Sequence, residues 1–318
     1  MEVINSNKIL HHMDRIVNNQ KPITADIFLN NYCNNNCGFC TYKRWEFDED
    51  ARYMPFIDFV RYAKRLKQLG VLGFILSGGG EPTISRDFDM ITAWLDDNGY
   101  KYGINTNFNR YVECNPEYLK VSLDAWDDDS YEKIRGVRSY KTVRENIVKF
   151  AKFKNDKTKL GIQLIAKSAE NINRFYNANA DLPVDYIVIR PVESTNGSYY
   201  KDYPGSTECH LEAIFETMEE LQKFDDRVVK NFKWSMLDNK FGKCEGQWSQ
   251  IAINELGDVM YCCHKPYQIV GHVMDDDILE KKSLAITDMN MCDIPCRLSS
   301  ANNILSIAQS EQVNAEFI

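Results

Sequence analysis

Between residues 23 and 190, six short apolar runs alternate with stretches of helical periodicity, and this alternation limits the fold more than any other feature of the chain. The runs fall at 23–29, 73–77, 102–107, 118–123, 160–166 and 186–190. Helical spacing is clearest at 55–69, where Phe56, Phe59, Val60, Ala63, Leu66 and Leu69 share a face before Gly70. Further helices are predicted at 87–97, 142–153, 171–178 and 207–224. Repetition at this pace implies parallel strands joined by crossover helices. Six strands are too few for a closed eight-stranded barrel.

In parallel-sheet folds, ligands gather at the carboxyl ends of the strands. The first run leads into Cys33-Asn34-Asn35-Asn36-Cys37-Gly38-Phe39-Cys40, a C-x3-C-x2-C spacing. Three thiolates in eight residues can grip one face of a four-iron cluster and leave its fourth iron open to a ligand. A zinc site is the alternative, although structural zinc takes four ligands in spaced pairs and no fourth stands beside this triplet. The second run ends in Gly78-Gly79-Gly80-Glu81, where consecutive glycines let backbone approach a ligand. The third ends in Asn105-Thr106-Asn107, polar groups suited to a ribose or carboxylate, or simply to capping the strand. The fourth ends in Ser122-Leu123-Asp124, where Asp124 suits a ligand contact or a cap. Lys167 follows the fifth run and Arg190 closes the sixth; either is also readable as a surface cation.

Taken as a set, these stretches resemble the radical S-adenosylmethionine (radical SAM) superfamily. The resemblance extends to Tyr131-Glu132-Lys133-Ile134-Arg135-Gly136, similar to a "Y..IRG" turn of that family. It implies an α/β fold with a partial (β/α)6 TIM-type barrel over residues 23–230. It assigns Cys33, Cys37 and Cys40 to a [4Fe-4S] cluster that also binds S-adenosylmethionine. Phe39 is then expected near the adenine, and Gly78, Gly79, Gly80 and Glu81 around the methionine ammonium. Asn105, Asn107, Ser122, Asp124 and Arg190 become cofactor contacts. The chemistry implied is reductive cleavage of S-adenosylmethionine to a 5′-deoxyadenosyl radical, which takes a hydrogen from an unactivated carbon. The electron comes from a donor such as flavodoxin or ferredoxin.

A second cysteine group lies late in the chain: Cys244, Cys262, Cys263, Cys292 and Cys296. Residues 251–254 and 259–261 read as a hairpin across Glu255-Leu256-Gly257-Asp258. The C-x12-G-x4-C arrangement from Cys244 to Cys262 resembles the "twitch" module, a shortened SPASM domain that holds one auxiliary [4Fe-4S] cluster. On that resemblance Cys244, Cys262, Cys292 and Cys296 are ligands, although relatives often close with C-x2-C rather than C-x3-C. Cys263 points to the opposite face from Cys262 in a strand, as a core residue, a substitute ligand or a hydrogen donor. A zinc ribbon is the alternative for the group. The domain layout expected is a leader at 1–22, the barrel at 23–230, the auxiliary-cluster domain at 231–300 and a tail at 301–318.

A net charge of −8 argues against nucleic acid as a partner, since such binding rests on neutralising phosphates. No apolar run approaches membrane-spanning length, and the polar first twenty residues lack a signal-peptide core. A cytoplasmic location is expected, and ten cysteines there point to metal or redox chemistry before disulfides. The leading expectation is an oxidoreductase acting on a sugar, peptide or small metabolite, with the auxiliary cluster taking the second electron. The competing expectation is a radical epimerase in which Cys209, Cys263 or Cys114 returns a hydrogen atom. Tyr199, Tyr200 and Tyr203 are expected at the barrel mouth, against substrate or covering apolar surface.

Overall fold

The computed structural model describes residues 8–17, 21–40, 42, 50–191, 194–195, 211–229, 243–288, 293–294 and 298–309. Strands β1 (Thr24–Phe28), β2 (Gly73–Ser77), β3 (Tyr102–Thr106), β4 (Tyr118–Ser122), β5 (Lys159–Ala166) and β6 (Tyr186–Pro191) are the six predicted runs. They pair in parallel in sequence order, giving the curved parallel sheet of a partial TIM-type barrel. Helices α2 (Phe56–Gln68), α3 (Phe88–Asp97), α5 (Tyr140–Phe153) and α6 (Ala169–Asn179) fill the crossovers. A short α1 (Met13–Val17) precedes β1, and α4 (Asp128–Arg135) follows β4.

Strand alternation sorts the residues into two faces. Ala25 and Ile27 of β1, Phe74 and Leu76 of β2, Ile104 of β3 and Leu119 and Val121 of β4 are buried in the main core. Phe59, Ala63 and Leu66 of α2 lie in the same core. Each of the larger of these side chains contributes about 1.5–3 kcal/mol by leaving water, and the alanine methyls about 0.8 kcal/mol. Asp26, Asn105, Lys120, Ser122 and Gln163 fall at the alternate positions, which face the barrel interior.

The sheet is wider than six strands. After α7 (Leu211–Gln222), β8 (Val228–Val229) adds in parallel to β6. At the other edge β9 (Gln250–Ile253) pairs in parallel with β1, Thr24 opposite Gln250 and Ile27 opposite Ile253. Strands β10 (Asp258–Met260) and β11 (Ile269–His272) continue outward in antiparallel pairing. The late hairpin is therefore laid edge-on against the barrel sheet, in a ten-stranded order β11-β10-β9-β1-β2-β3-β4-β5-β6-β8. A separate ladder joins β7 (Ser194–Thr195) to β12 (Asp293–Ile294). Helix α8 (Ile278–Leu284) follows β11, and α9 (Ser299–Gln309) occupies the expected tail, with Leu305 buried against Trp248. Among the described residues no helix is long and apolar enough to cross a membrane.

Candidate functional site

The chain leaves β1 at Phe28 and folds the cysteine loop over the carboxyl ends of the neighbouring strands. The Gly80 N–H donates to the Asn30 carbonyl at 3.0 Å, and the Glu81 N–H to the Tyr32 carbonyl at 2.9 Å. Asn30 Nδ2 returns a bond to the Glu81 carbonyl at 3.0 Å. The two loops run so close that a Cβ on Gly80 would lie 1.8 Å from the Tyr32 oxygen. On the far side, the Asn36 N–H donates to the Arg135 carbonyl at 2.8 Å. Gly136 ends α4 in the left-handed region at φ +74, where a Cβ would meet the Asn36 oxygen at 2.5 Å.

The three thiols differ in setting: Cys33 is exposed, Cys40 intermediate and Cys37 buried. The Cys33 sulfur accepts from the Asn35 N–H at 3.3 Å and from Asn107 Nδ2 at 3.7 Å. The Cys37 sulfur accepts from Arg135 Nη1 at 3.4 Å. Donors aimed at sulfur suit a thiolate, the form that ligates iron. Among the described residues no three Cys, His, Asp or Glu side chains are gathered for a single ion. A four-iron cluster takes one thiolate per iron and so needs its donors spread wider. Three cysteines in one loop, with N–H donors on the Cys33 and Cys37 sulfurs, are the donor chemistry a cluster takes.

Two acidic residues expected to touch the cofactor are each held by several protein donors. Glu81 Oε1 accepts from the Thr83 N–H (3.1 Å), Thr83 Oγ1 (2.7 Å) and Thr106 Oγ1 (2.5 Å), and Oε2 accepts from the Asn107 N–H (2.7 Å). Burial pushes its carboxyl above the ordinary range, against the pull of those donors. Glu81 thus ties the glycine turn to the end of β3. Asp124, 1% exposed and at φ 54, accepts from the Ile165 N–H at 2.6 Å and from Arg135 Nη2. Its carboxylate is taken up by protein donors and tethers Arg135.

The other expected residues stand along the strand ends. Asn107 bonds Asn34 Oδ1 at 2.7 Å through the amide that also reaches Cys33. The Ser122 carbonyl accepts from Arg135 Nη2 at 2.7 Å. Among the described residues the buried Asn105 Oδ1 has no hydrogen-bond partner. Such an orphan inside the barrel suits a ligand. Arg190 sits opposite Ile165 at the end of β6. The Phe39 ring lies under the Arg135 guanidinium, 5.3 Å away. Burial, helped by the charge of Lys133, lowers the Lys167 ammonium to about 8. Deeper in the barrel, Tyr118 covers Gly103 and Tyr186 covers Gly161, each directly across a strand pair. Arg135 was missed because an arginine in the last turn of a polar helix reads as a surface cation; its place in the "IRG" turn was the available signal.

Around the second cysteine group, Cys244, Cys262 and Cys263 are partly buried. Cys263 packs against Phe28, Ala252 and Met260, where Tyr42 also rests. Two lysines are almost fully buried nearby. Lys282 Nζ donates to the Met260 carbonyl at 2.8 Å and to the Tyr261 carbonyl, and Lys265 Nζ donates to Thr287 Oγ1 at 3.0 Å and the Asp288 carbonyl at 2.8 Å. Burial lowers Lys282 to about 8, against an upward pull from the charges of Cys262, Cys244 and Cys263. Cys209, Cys292, Cys296 and the tyrosines at 199, 200 and 203 lie outside the described residues. Cys114 belongs to the main core, where burial raises its thiol to about 12.

Residues 27–174 match the profile of the Radical SAM superfamily. A probable GTP 3′,8-cyclase from Pyrobaculum aerophilum is 30% identical over 116 residues, 34% of this chain and 37% of that one. A probable GTP 3′,8-cyclase from Saccharolobus islandicus is 28% identical over 171 residues, 51% of this chain and 54% of that one. The chain therefore spans only a third to a half of these curated relatives. Among solved structures, Streptococcus suis SuiB bound to S-adenosylmethionine superposes with a TM-score of 0.58 at 18% identity, covering 81% of this chain and 64% of SuiB. SuiB bound to its precursor peptide SuiA gives 0.57 at 16% identity, covering 98% and 72%. These likenesses establish the fold.

Proposed function

The chain carries a radical SAM domain over residues 27–174, and from that premise we propose an enzyme that abstracts hydrogen from a substrate carbon and passes the second electron to an auxiliary [4Fe-4S] cluster. Cys33, Cys37 and Cys40 would hold the catalytic cluster, with Phe39, the turn of Gly78, Gly79 and Gly80, and the β3 and β4 ends around S-adenosylmethionine. When bound, that pair supplies a 5′-deoxyadenosyl radical able to attack an unactivated C–H bond. The protein's own work is to bind, orient and exclude water. Glu81 fixes the glycine turn against β3, Asn107 fixes the loop from above, and the Tyr118 and Tyr186 rings limit how deep a substrate can enter. The substrate is a sugar, peptide or small metabolite.

The observation that carries this reading is the convergence, at one end of the sheet, of three thiols, of which Cys33 and Cys37 are served by N–H donors, with a glycine turn and two polar strand ends. The auxiliary-cluster role rests on the late cysteine group, whose hairpin continues the sheet beside β1: Met260 pairs with Ala252, which pairs with Asp26. Cys244, Cys262, Cys292 and Cys296 are its proposed ligands.

Two other readings each have one observation behind them. The relatives named as GTP 3′,8-cyclases favour ring closure on a purine nucleotide. The packing of Cys263 against Phe28, Ala252 and Met260, residues of the barrel's inner face, favours an epimerase with Cys263 as hydrogen donor. After anaerobic reconstitution we expect roughly eight irons per chain, falling to about four in a Cys33/Cys37/Cys40→Ala variant that forms no 5′-deoxyadenosine. About four irons falling to none would sink the auxiliary-cluster role. Consumption of GTP would select the cyclase, and solvent deuterium at one product carbon the epimerase.

A further inference from the structure

Arg135 closes α4, yet its guanidinium is buried, with 6% of the residue exposed. Nη1 stands 3.4 Å from the Cys37 sulfur. Nη2 donates to the Ser122 carbonyl at 2.7 Å and to the Asp124 carboxylate. The guanidinium lies over the Phe39 ring at 5.3 Å, and the residue's carbonyl anchors the Asn36 N–H at 2.8 Å. Asp124 is itself fixed by the Ile165 N–H. Every polar contact of this side chain therefore runs to the end of β4 or to the cysteine loop. A guanidinium removed from water needs its charge met at close range. Asp124 meets it on one side; on the other side stands a sulfur that becomes anionic when it ligates iron.

We propose that Arg135 is a positioning residue that sets the reduction potential of the cluster held by Cys33, Cys37 and Cys40. Reduction by a low-potential one-electron donor adds a single negative charge to the site, with no bond made or broken and no proton moved. A cation held rigidly against one ligand sulfur stabilises that added charge and raises the potential. Hydrogen bonds to sulfur act in the same direction, and the planar fork lets one side chain serve the sulfur, the Ser122 carbonyl and Asp124 together. A lysine offers the charge without the fork.

This inference rests on the reading that the loop's thiols hold a cluster, and the test separates the two. The full chain is reconstituted anaerobically, its iron is counted, and the cluster is titrated with dithionite under electron paramagnetic resonance. Retention of all iron in the Cys33/Cys37/Cys40→Ala variant would defeat the cluster reading by itself. Arg135→Gln, keeping a donor but losing the charge, is expected to make one-electron reduction at least tenfold less favourable, a shift of 59 mV to more negative potential. Arg135→Lys is expected to move less. Equal potentials in the wild type and Arg135→Gln at equal iron content would overturn the proposal. If Arg135→Gln cannot hold iron, Asp124→Asn decides. It keeps an acceptor for the Ile165 N–H, removes the opposing charge and is expected to shift the potential upward; no shift, or a downward one, would overturn the inference.

Discussion

The two cysteine-bearing regions solve the same problem, fixing thiols in space, with different parts. The loop of Cys33, Cys37 and Cys40 is braced by close backbone contact with the turn after β2 and with the end of α4, and its sulfurs receive N–H donors from Asn35, Asn107 and Arg135. The region of Cys244 and Cys262 is braced by side chains reaching backbone: Lys282 and Lys265 donate to carbonyls, and Asn302 Oδ1 accepts from the Glu245 and Gly246 N–H groups. Backbone against backbone tolerates no added atom, whereas side-chain struts have rotamers to give. The first region should therefore be brittle and the second compliant.

A matched pair of glycine substitutions is the strongest way to break that comparison. Gly80→Ala places a methyl 1.8 Å from the Tyr32 carbonyl, so the loop and the turn must separate. We expect a loss of about 3 kcal/mol or more in denaturant unfolding, with loss of the loop's iron. Gly246→Ala meets nothing nearer than 3.5 Å and is expected to stay within about 0.5 kcal/mol of the wild type. Equal costs at the two sites would erase the distinction.

Removing a strut sharpens it. Asn302→Ala leaves the Glu245 and Gly246 N–H groups without their acceptor, at about 1–3 kcal/mol. The expected signature is a lower unfolding midpoint, with iron lost from the late cysteines before the early ones.

How much of this was legible in the sequence follows the same divide. Strands β1 to β6 and helices α2, α3, α5 and α6 were readable because alternation and helical spacing are local signals, whereas α4 was read only as a turn. The glycine turn and the polar strand ends were readable because chemistry collects where parallel strands stop. What escaped reading depends on distant partners. A two-residue strand such as β8 has no pattern of its own. Nothing within residues 250–253 announces that they will lie beside residues 24–27. Glu81 and Asp124 stand where parallel strands stop, as read, but the donors that hold them could not be read: Thr106 and the Asn107 N–H on Glu81, and Arg135 with the Ile165 N–H on Asp124.

The smallest expected effect concerns charge at the rim. Lys167 is lowered to about 8 by burial, with Lys133 adding to it. A lysine whose folded pKa lies below its unfolded value near 10.4 holds fewer protons when folded. Its contribution therefore favours the folded state increasingly as pH rises from about 8 toward 10. Amine-selective labelling of Lys167 should show a midpoint near 8 that moves upward in Lys133→Gln. An unchanged midpoint would remove Lys133 from the account.

The pairing of β1 with β9 joins Thr24 to Gln250 across most of the chain. A ribosome delivers β1 long before its outer neighbour exists, and until then one flank of the central sheet presents unpaired N–H and C=O groups. Loop closure over such a separation is slow to be repaid. The late hairpin thus also acts as a guard for the oldest strand, and a chain halted before residue 250 carries a bare edge ready to pair with another copy.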